Sequence, residues 1–497
     1  MNASLFPHRS SRFALSALAL AALLAGCSVG PRYQLPASAS PTYWKEQKAA
    51  EGWLPAAPAD ALDRGEWWKL FGDPTLDELA SRVQVSNQNI AAAVANYANA
   101  QALVRGQRAA LFPSLTLNGS GKRTGGGDTS PSNAFAASLG AAWAPDVWGR
   151  LRESVNSASA NAQASEADLA SARLSAIGDL ATNYLSLREA DVEIGLLDET
   201  IKGYERAFEI TRNRYNAAIA AQTDVLQAQT QLANARATRL TLVRTRATLE
   251  HAIAVLVGAA PADFSLAPAP WTQTVPGIPT GVPTTLLQRR PDIAAAERAV
   301  AAANSQIGIA RSAYFPSFNL SASIGSSASR VGSLFSAPNT LWSLGLTAAQ
   351  VVFDAGAIGA SVDAAKASYD ASVAHYRQTV LAAFQGVEDQ LTTGATLAQQ
   401  EGMYREASNA ADKTEQQLLN RYREAQVAYT DVVTAQVAAL SARRTLVQVQ
   451  LNRQTAAVAL IQALGGGWQA GWMGGDAQAA TTATTQQQQP SASEPKP

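Results

Sequence analysis

Four short stretches of the chain alternate apolar and small polar residues with a period of two. In residues 317–324, Phe, Leu, Ala and Ile alternate with Ser and Asn. Similar alternation is found in residues 115–118, 135–143 and 342–349. A period of two with one apolar and one small polar face predicts strands that have core or lipid on one side and water on the other. We therefore expect four strands of about ten residues, which is long enough to cross a bilayer at a tilt.

Polar stretches rich in Gly and Ser separate the two strands of each pair. They cover residues 122–133 and 326–340, and their composition predicts loops. The strands are therefore expected to form two hairpins, one in each half of the chain.

Ala-rich segments with few helix breakers flank the hairpins. Residues 76–110 and 292–313 each lead to a Phe-Pro dipeptide, which ends a helix because the residue before proline is driven to extended geometry. After the first hairpin, residues 149–213 contain no proline, and the helical pattern resumes over residues 222–256. At ~1.5 Å per residue the longer of these helices reaches roughly 90 Å. Such helices need lateral partners, so we expect coiled-coil pairs.

The chain is internally duplicated. The Arg-Tyr pair at Arg214 and the Thr-Asp-Val triplet at Thr223 recur 207 residues later, at Arg421 and Thr430. A Phe-Pro-Ser sequence also occurs once in each half. These units are far longer than solenoid repeats, so each half is expected to be one helix–hairpin–helix unit.

The sequence divides into six predicted segments. They are a lipoprotein signal peptide at 1–26, a lipidated extended segment at 27–65, a first repeat at 66–258, a Pro-rich linker at 259–284, a second repeat at 285–467 and a C-terminal segment at 468–497. The last of these is of low complexity, and its composition predicts disorder from about residue 477.

The amino terminus has the pattern of a lipoprotein signal. An apolar run of 13 residues, Phe13 to Ala25, follows Arg9 and Arg12, and this length suits a signal peptide but is too short to span a bilayer. The run ends in Leu-Ala-Gly-Cys, which resembles a bacterial lipobox. We expect cleavage before Cys27, which would carry diacylglycerol and palmitate. The alternative is that this cysteine is incidental to an ordinary signal peptide.

Composition narrows the possible functions. The 39 basic and 39 acidic residues balance, which argues against nucleic-acid binding. The single cysteine excludes a disulfide framework and a cysteine-built metal site. Only His251 and His375 remain after removal of the signal peptide, so the chain offers few histidines that could act as catalytic residues. We predict no enzymatic activity, no catalytic or metal-binding residues and no cofactor other than the covalent lipid.

Four strands per chain leave two open sheet edges. In lipid every backbone polar group must be paired, so an open sheet cannot span a membrane. We therefore expect the barrel to close with strands from other copies of the chain. Two chains would supply eight strands and three would supply twelve, and this argument does not choose between them.

Several motifs occur together in this one chain. They include the lipobox, the duplicated unit, the Phe-Pro-Ser strand entries, the Leu-Gln-Arg-Arg-Pro-Asp-Ile segment at 287–293 and the Ala-Leu-Gly-Gly-Gly-Trp segment at 463–468. Over about residues 27–470 the combination resembles the outer-membrane factor family of TolC-like efflux channels. The NodT/OprM lipoprotein branch, which serves RND-type pumps, is the most similar.

The resemblance implies a fold, a location and partners. The fold class would be α+β, in a homotrimer with a 12-stranded transmembrane β-barrel that continues as a periplasmic α-helical coiled-coil tunnel. The protein would lie in the bacterial outer membrane, in contact with its lipid. It would act as the passive exit duct of a tripartite efflux system, together with a periplasmic adaptor and an inner-membrane pump.

The resemblance also implies functional residues at the coiled-coil tips. The family uses these turns to contact the adaptor and to constrict the channel. The expected adaptor-contact residues are Ala218, Ile219, Ala220 and Ala221 in the first repeat and Ala425, Gln426, Val427 and Ala428 in the second. The family usually has Gly at the positions of Ala218 and Ala425, and Gly tolerates left-handed geometry that Ala resists.

Gate candidates lie beside the second tip. Three copies of Asp431 would meet near one axis, and a ring of like charges is a selectivity or gating device. The full set of gate candidates is Asp431, Asp224, Arg421, Tyr422, Arg423 and Thr434. Relatives often have a second Asp where this chain has Thr434. The alternative is that Asp224 and Asp431 only begin helices, where a negative charge is favourable.

Other functions remain open at this stage. The same fold could serve as the duct of a type I protein secretion system. A periplasmic adaptor lipoprotein would have one hairpin flanked by halves of a β domain, and a lipid-anchored enzyme would need a set of catalytic residues. The substrate class is not visible, although three Met and two mature His give little support to a metal-specific role.

Overall fold

The computed structural model describes residues 29–38, 41, 43–46, 64–127, 129–278 and 290–466. The predicted signal peptide, Cys27 and the segment from residue 467 lie outside the described residues, as do parts of the predicted N-terminal segment and linker. The helices are α1 (Pro74–Ser86), α2 (Gln88–Ala109), α3 (Arg150–Asn216), α4 (Gln222–Leu256), α5 (Pro291–Ser312), α6 (Ala357–Arg423) and α7 (Tyr429–Ala463). The strands are β1 (Ser114–Gly126), β2 (Thr129–Trp143), β3 (Ser317–Ala328) and β4 (Thr340–Ala349). None of the helices in this described part combines the length and apolar character needed to cross a bilayer.

The chain divides into two compact units, and one of them contains the strands. Its described residues are 29–37, 95–127, 129–166 and 295–378. The strands form a single antiparallel sheet in the order β1-β2-β3-β4. The four predicted strands are confirmed, and each hydrogen-bonds to its neighbour in the sequence.

The first hairpin is longer than predicted. β1 continues to Gly126 and β2 begins at Thr129, so the loop predicted over residues 122–133 is wrong except at the turn. The ladder continues across the polar residues, with Lys122 opposite Ala134, and its register shifts only between Thr124 and Gly126. Sheet pairing is made by backbone groups and does not require apolar side chains, which is why composition alone suggested a loop.

The second predicted loop, over residues 326–340, is mostly correct. β3 extends three residues into it, to Ala328. Short 3₁₀ turns at Val331–Ser333 and Ala337–Asn339 occupy much of the remainder.

The two faces of the sheet differ in chemistry. Residues directly opposite in adjacent strands share a face. One row across all four strands is Leu117, Leu139, Ile324 and Trp342. The adjacent row, on the other face, is Thr116, Gly140, Ser323 and Ser343. The apolar row is solvent-exposed in the single chain, with Leu117 81% and Trp342 78% exposed, so this face requires an apolar environment.

The helix predicted over residues 76–110 is interrupted, which corrects that prediction. Asn87 separates α1 from α2 and has extended backbone angles, with φ −68° and ψ 124°. Its Oδ1 accepts hydrogen bonds from the backbone N–H groups of Asn89 and Ile90, and its Nδ2 donates to the Leu256 carbonyl at 2.8 Å. An Asn side chain that caps a new helix and bonds elsewhere offers the backbone an alternative to continuous helix.

The second unit contains a buried polar network that anchors the start of the linker. Arg188 and Asp191 on α3 form an ion pair of 3.0 Å, and Arg246 on α4 pairs with the same carboxylate at 2.5 Å. Arg188 also donates to the Ala267 carbonyl and Arg246 to the Leu266 carbonyl. The linker is therefore attached to α3 and α4, the two long helices of the first repeat.

Candidate functional site

The two coiled-coil tips have the same backbone geometry. In the first tip, the N–H groups of Ala218 and Ile219 donate to the carbonyls of Tyr215 and Arg214, at 2.9 and 2.8 Å. In the second tip, the equivalent bonds run from Ala425 to Tyr422 and from Gln426 to Arg421, both at 2.9 Å. This pair of bonds is the Schellman ending of an α-helix.

Both tips place an alanine in the left-handed region. The φ angles are 57° at Ala218 and 59° at Ala425. An L-residue with a Cβ pays about 1–2 kcal/mol for this conformation, which Gly adopts freely. The tips therefore keep the turn expected of Gly although the sequence supplies Ala, and the turn carries a local cost.

The aspartates of the predicted gate lie in the first turns of their helices. Asp224 is the third residue of α4 and Asp431 the third residue of α7. The preceding residues, Ala221 and Ala428, make no side-chain cap, so the carboxylates supply the negative charge that favours a helix start. Asp431 is exposed, and within the described part of the chain neither aspartate forms an ion pair.

The other gate candidates do not converge on these aspartates. Arg423 donates to Asn420 at 3.3 Å, and the Thr434 hydroxyl donates to the Thr430 carbonyl at 2.9 Å. Tyr422 is only 4% exposed and packs in the interior. Within one protomer, the tip is therefore held by packing and backbone hydrogen bonds rather than by a charged cluster.

An aromatic core lies beneath the tips. Tyr422 and Tyr429 pack with their ring centroids 5.2 Å apart. They belong to one buried cluster, whose other members are Ala207, Ala228 and Val432. Burial, with a smaller contribution from neighbouring tyrosines and Asp224, raises the pKa of Tyr429 to about 12. The cluster joins all four long helices at the tips.

Arg214 is a structural residue that the sequence analysis did not single out as a candidate. Its guanidinium lies 4.6 Å from the centre of the Tyr422 ring and donates to the Tyr422 carbonyl at 2.7 Å. This contact joins the first repeat to the second. The duplication could have indicated the importance of Arg214, because this residue aligns with the gate candidate Arg421.

A polar groove lies farther along the same four helices. Its cavity of about 580 Å³ is lined mainly by hydroxyl and amide side chains, together with an inter-repeat ion pair. That pair joins Glu193 on α3 to Arg444 on α7 at 3.1 Å. One turn before Glu193, burial and the nearby carboxylate raise the pKa of Glu189 to about 7. The groove is polar, and it contains an ion pair between the two repeats.

Comparison with known proteins matches both repeats. The family model described as outer membrane efflux protein covers residues 79–259 and 282–466. The toluene efflux pump outer membrane protein TtgC of Pseudomonas putida is 32% identical over 465 residues, 91% of this chain and 95% of that protein. The cation efflux system protein CusC of Escherichia coli is 28% identical over 459 residues, 90% and 98% of the two chains. The structure of the outer-membrane channel OprN is 30% identical, with a TM-score of 0.82 over 89% of this chain and 100% of that chain.

These relatives confirm the predicted fold class. They are trimeric outer-membrane channels of mixed helix and four strands per chain, and this chain likewise combines long helices with a four-stranded sheet. The predicted outer-membrane location and efflux function are confirmed in the same way. With both repeats matched and nearly the full length aligned, the chain belongs to the outer membrane efflux protein family and is the outer-membrane component of an efflux system.

Proposed function

We propose that three copies of this chain form the passive exit duct of a tripartite efflux system, with no catalytic step of their own. The two-faced sheet carries this proposal. Its apolar row suits lipid, and its Thr, Gly and Ser row suits a water-filled lumen. β1 and β4 each have an edge that no strand among the described residues covers. Backbone groups at those edges must be paired in a membrane, and twelve strands from three copies would close the barrel.

The favoured substrates are small organic toxic solutes. TtgC is named for toluene and is the more similar of the two relatives compared, whereas CusC is named for cations. The groove between the long helices is rich in amide and hydroxyl groups and has mixed polarity, which suits weak contact with varied solutes. A cation-specific duct would be expected to carry more than the three methionines of this sequence.

A periplasmic adaptor would open the tips, and an inner-membrane pump would supply the energy. The adaptor-contact residues remain those of the two turns, because most of their side chains lie at the surface and each turn holds one alanine in the left-handed region. Asp431 would form the ring that narrows the pore. It is exposed and makes no ion pair within the described part of its own protomer, so it is available to face the axis.

The proposed lipid anchor is Cys27. The diacylglycerol and palmitate on this residue would hold the amino terminus at the membrane, beside the barrel. Mass spectrometry of the mature protein should give an amino-terminal peptide that starts at Cys27 and carries both groups, whereas an unmodified thiol would contradict the assignment.

Complementation tests the proposed function. A host that lacks its own outer-membrane efflux channel should regain resistance to toluene and to a fluorescent dye when this chain is expressed with a matching adaptor and pump. The matched control is the same strain with Leu117→Arg, which places a charge on the apolar row. Restored resistance to copper or silver but not to organic solutes would overturn the substrate class, and no restoration in any pairing would overturn the function.

A further inference from the structure

The two repeats carry equivalent residues at their tips, but their surroundings differ. Tyr215 and Tyr422 occupy matching positions, as do Arg214 and Arg421. Tyr422 is 4% exposed, whereas Tyr215 is 43% exposed. The duplication therefore provides one filled and one unfilled version of the same site.

The difference extends along the following helices. On α7, residues Val433, Leu440 and Val447 are partly buried within the protomer, and Gln436 is buried. Their equivalents on α4, residues Leu226, Ala233, Leu240 and Gln229, are all exposed. Leu226, Ala233 and Leu240 follow one another at intervals of seven, which is the spacing of a coiled-coil seam. The first repeat therefore presents an uncovered stripe, whereas the equivalent stripe of the second repeat is partly buried within the protomer.

The structure shows what fills the site on the second repeat. The first repeat covers it, with α4 packed against α7 and with Arg214 placed over the Tyr422 ring. The Tyr422 carbonyl accepts two hydrogen bonds, from the Ala425 N–H and from Arg214. At the unfilled site, the Tyr215 carbonyl accepts only from Ala218 among the described residues.

The chain already contains a side chain that could fill the empty site at Tyr215, on the first repeat. Arg421 is exposed, and its guanidinium makes no hydrogen bond or ion pair to any described residue of its own chain. In a closed ring of duplicated chains, each second repeat is followed by the first repeat of the next copy. The contact between repeats can then recur between copies with the same geometry.

We infer that the partner subunit's Arg421 covers Tyr215, donating to its carbonyl and lying over its ring, while the stripe of Leu226, Ala233 and Leu240 seats α7 of that copy. This inference rests on the trimer of the proposed function. The occupant is a second copy rather than an adaptor, because the surface that fills the equivalent site is part of this same chain. Three such contacts close the ring of tips.

Site-directed cross-linking tests the contact. Tyr215→Cys and Arg421→Cys are combined in one chain, and membranes are treated with the short bis-maleimide bismaleimidoethane, because the arginine side chain rather than the backbone spans the gap. The matched control is Arg214→Cys with Tyr422→Cys, which should link within one chain. Each single variant is treated in parallel. Oligomeric state is measured separately by light scattering of the detergent-solubilised protein.

The expected result is a ladder of covalent dimer and trimer for the Tyr215→Cys and Arg421→Cys pair. The control pair should remain a monomer on the gel and gain the mass of one cross-linker. A trimeric protein whose test pair gives only monomers while the control pair reacts would overturn this contact and leave the proposed function intact. Cross-linking of Tyr215→Cys to a co-expressed adaptor alone would also overturn it. A monomeric solubilised protein would overturn the trimer as well.

Discussion

Two alanines carry a backbone cost that the rest of the tip must offset. Ala218 and Ala425 hold left-handed angles because the Schellman hydrogen bonds fix each turn, above a core that contains the buried Tyr422 and Tyr429. The duplication and the family resemblance predicted where the turns lie. They could not predict that alanine would keep a glycine conformation, because that depends on the energy of the surrounding packing.

Glycine at these positions should stabilise the protein. We expect Ala218→Gly and Ala425→Gly each to gain roughly 1 kcal/mol per chain, since the Cβ clash is removed. Thermal unfolding, monitored by circular dichroism, measures this change in stability. The control is Ala407→Gly, an exposed position inside α6, which should lose about 1 kcal/mol. Equal loss at all three positions would mean that the left-handed angles store no strain.

A buried carboxyl group should make stability depend on pH. Burial and Glu193 raise the pKa of Glu189 to about 7, from 4.5 in an exposed chain. A raised pKa means that the contribution of this group to stability is complete below pH 4.5 and is lost as the pH rises to about 7. We expect Glu189→Gln to stabilise the protein at pH 8 by about 2–3 kcal/mol per chain and to have little effect at pH 4.5.

Melting curves between pH 4.5 and pH 8 measure this difference. Glu199→Gln, which changes an exposed carboxylate on the same helix, provides the control. Its melting temperature should differ from that of the wild type by the same small amount at pH 4.5 and at pH 8. If Glu189→Gln melted with the wild type at pH 8, the carboxyl group would not be held in its protonated form by the helices.

Helices and strands were predictable to the extent that local rules fix them. The bounds predicted for α4, residues 222–256, match the structure because Thr223 and Asp224 suit a helix start and Gly258 follows the end of an unbroken helical pattern. The interruption at Asn87 was missed, since it depends on a hydrogen bond to Leu256 in a distant helix. The hairpin of β1 and β2 was predicted too short because polar composition masked backbone pairing. The contact of Arg214 with Tyr422 was equally inaccessible, because it joins residues that only the fold brings together.

The network around Asp191 should be costly to break. This carboxylate pairs with Arg188 and Arg246, and all three side chains are largely buried. Asp191→Ala leaves two guanidinium groups without their shared partner, and we expect a loss of about 3–5 kcal/mol. The control is Asp198→Ala, which breaks a half-exposed pair with Arg239 and should cost no more than about 1 kcal/mol. If urea unfolding showed similar losses of unfolding free energy for Asp191→Ala and Asp198→Ala, the buried network would stabilise the protein no more than a half-exposed ion pair does.

At the scale of the whole molecule, the two faces of the sheet must meet different solvents. Leu117 and Thr116 are neighbours in β1 but belong to opposite faces. We expect Leu117→Arg to cost about 2–4 kcal/mol per chain in the membrane, since it places a charge toward lipid. Thr116→Arg should be tolerated and should shift ion selectivity toward anions. The yield of heat-resistant trimer in outer membranes should be lower for Leu117→Arg than for Thr116→Arg. Equal yields of the two variants would contradict the assignment of the sheet's two faces.

The central claim is that three chains enclose a pore that is narrowed at the tips. Single-channel conductance of the purified, lipidated protein in planar bilayers tests it most directly, with wild type compared with Asp431→Ala and with Asp224→Ala, the same substitution in the first repeat. The account predicts a small, cation-preferring conductance that increases, or loses its cation preference, in Asp431→Ala and changes less in Asp224→Ala. An unchanged conductance in Asp431→Ala would remove that residue from the gate. The absence of conductance from folded trimers of all three proteins would contradict the channel itself.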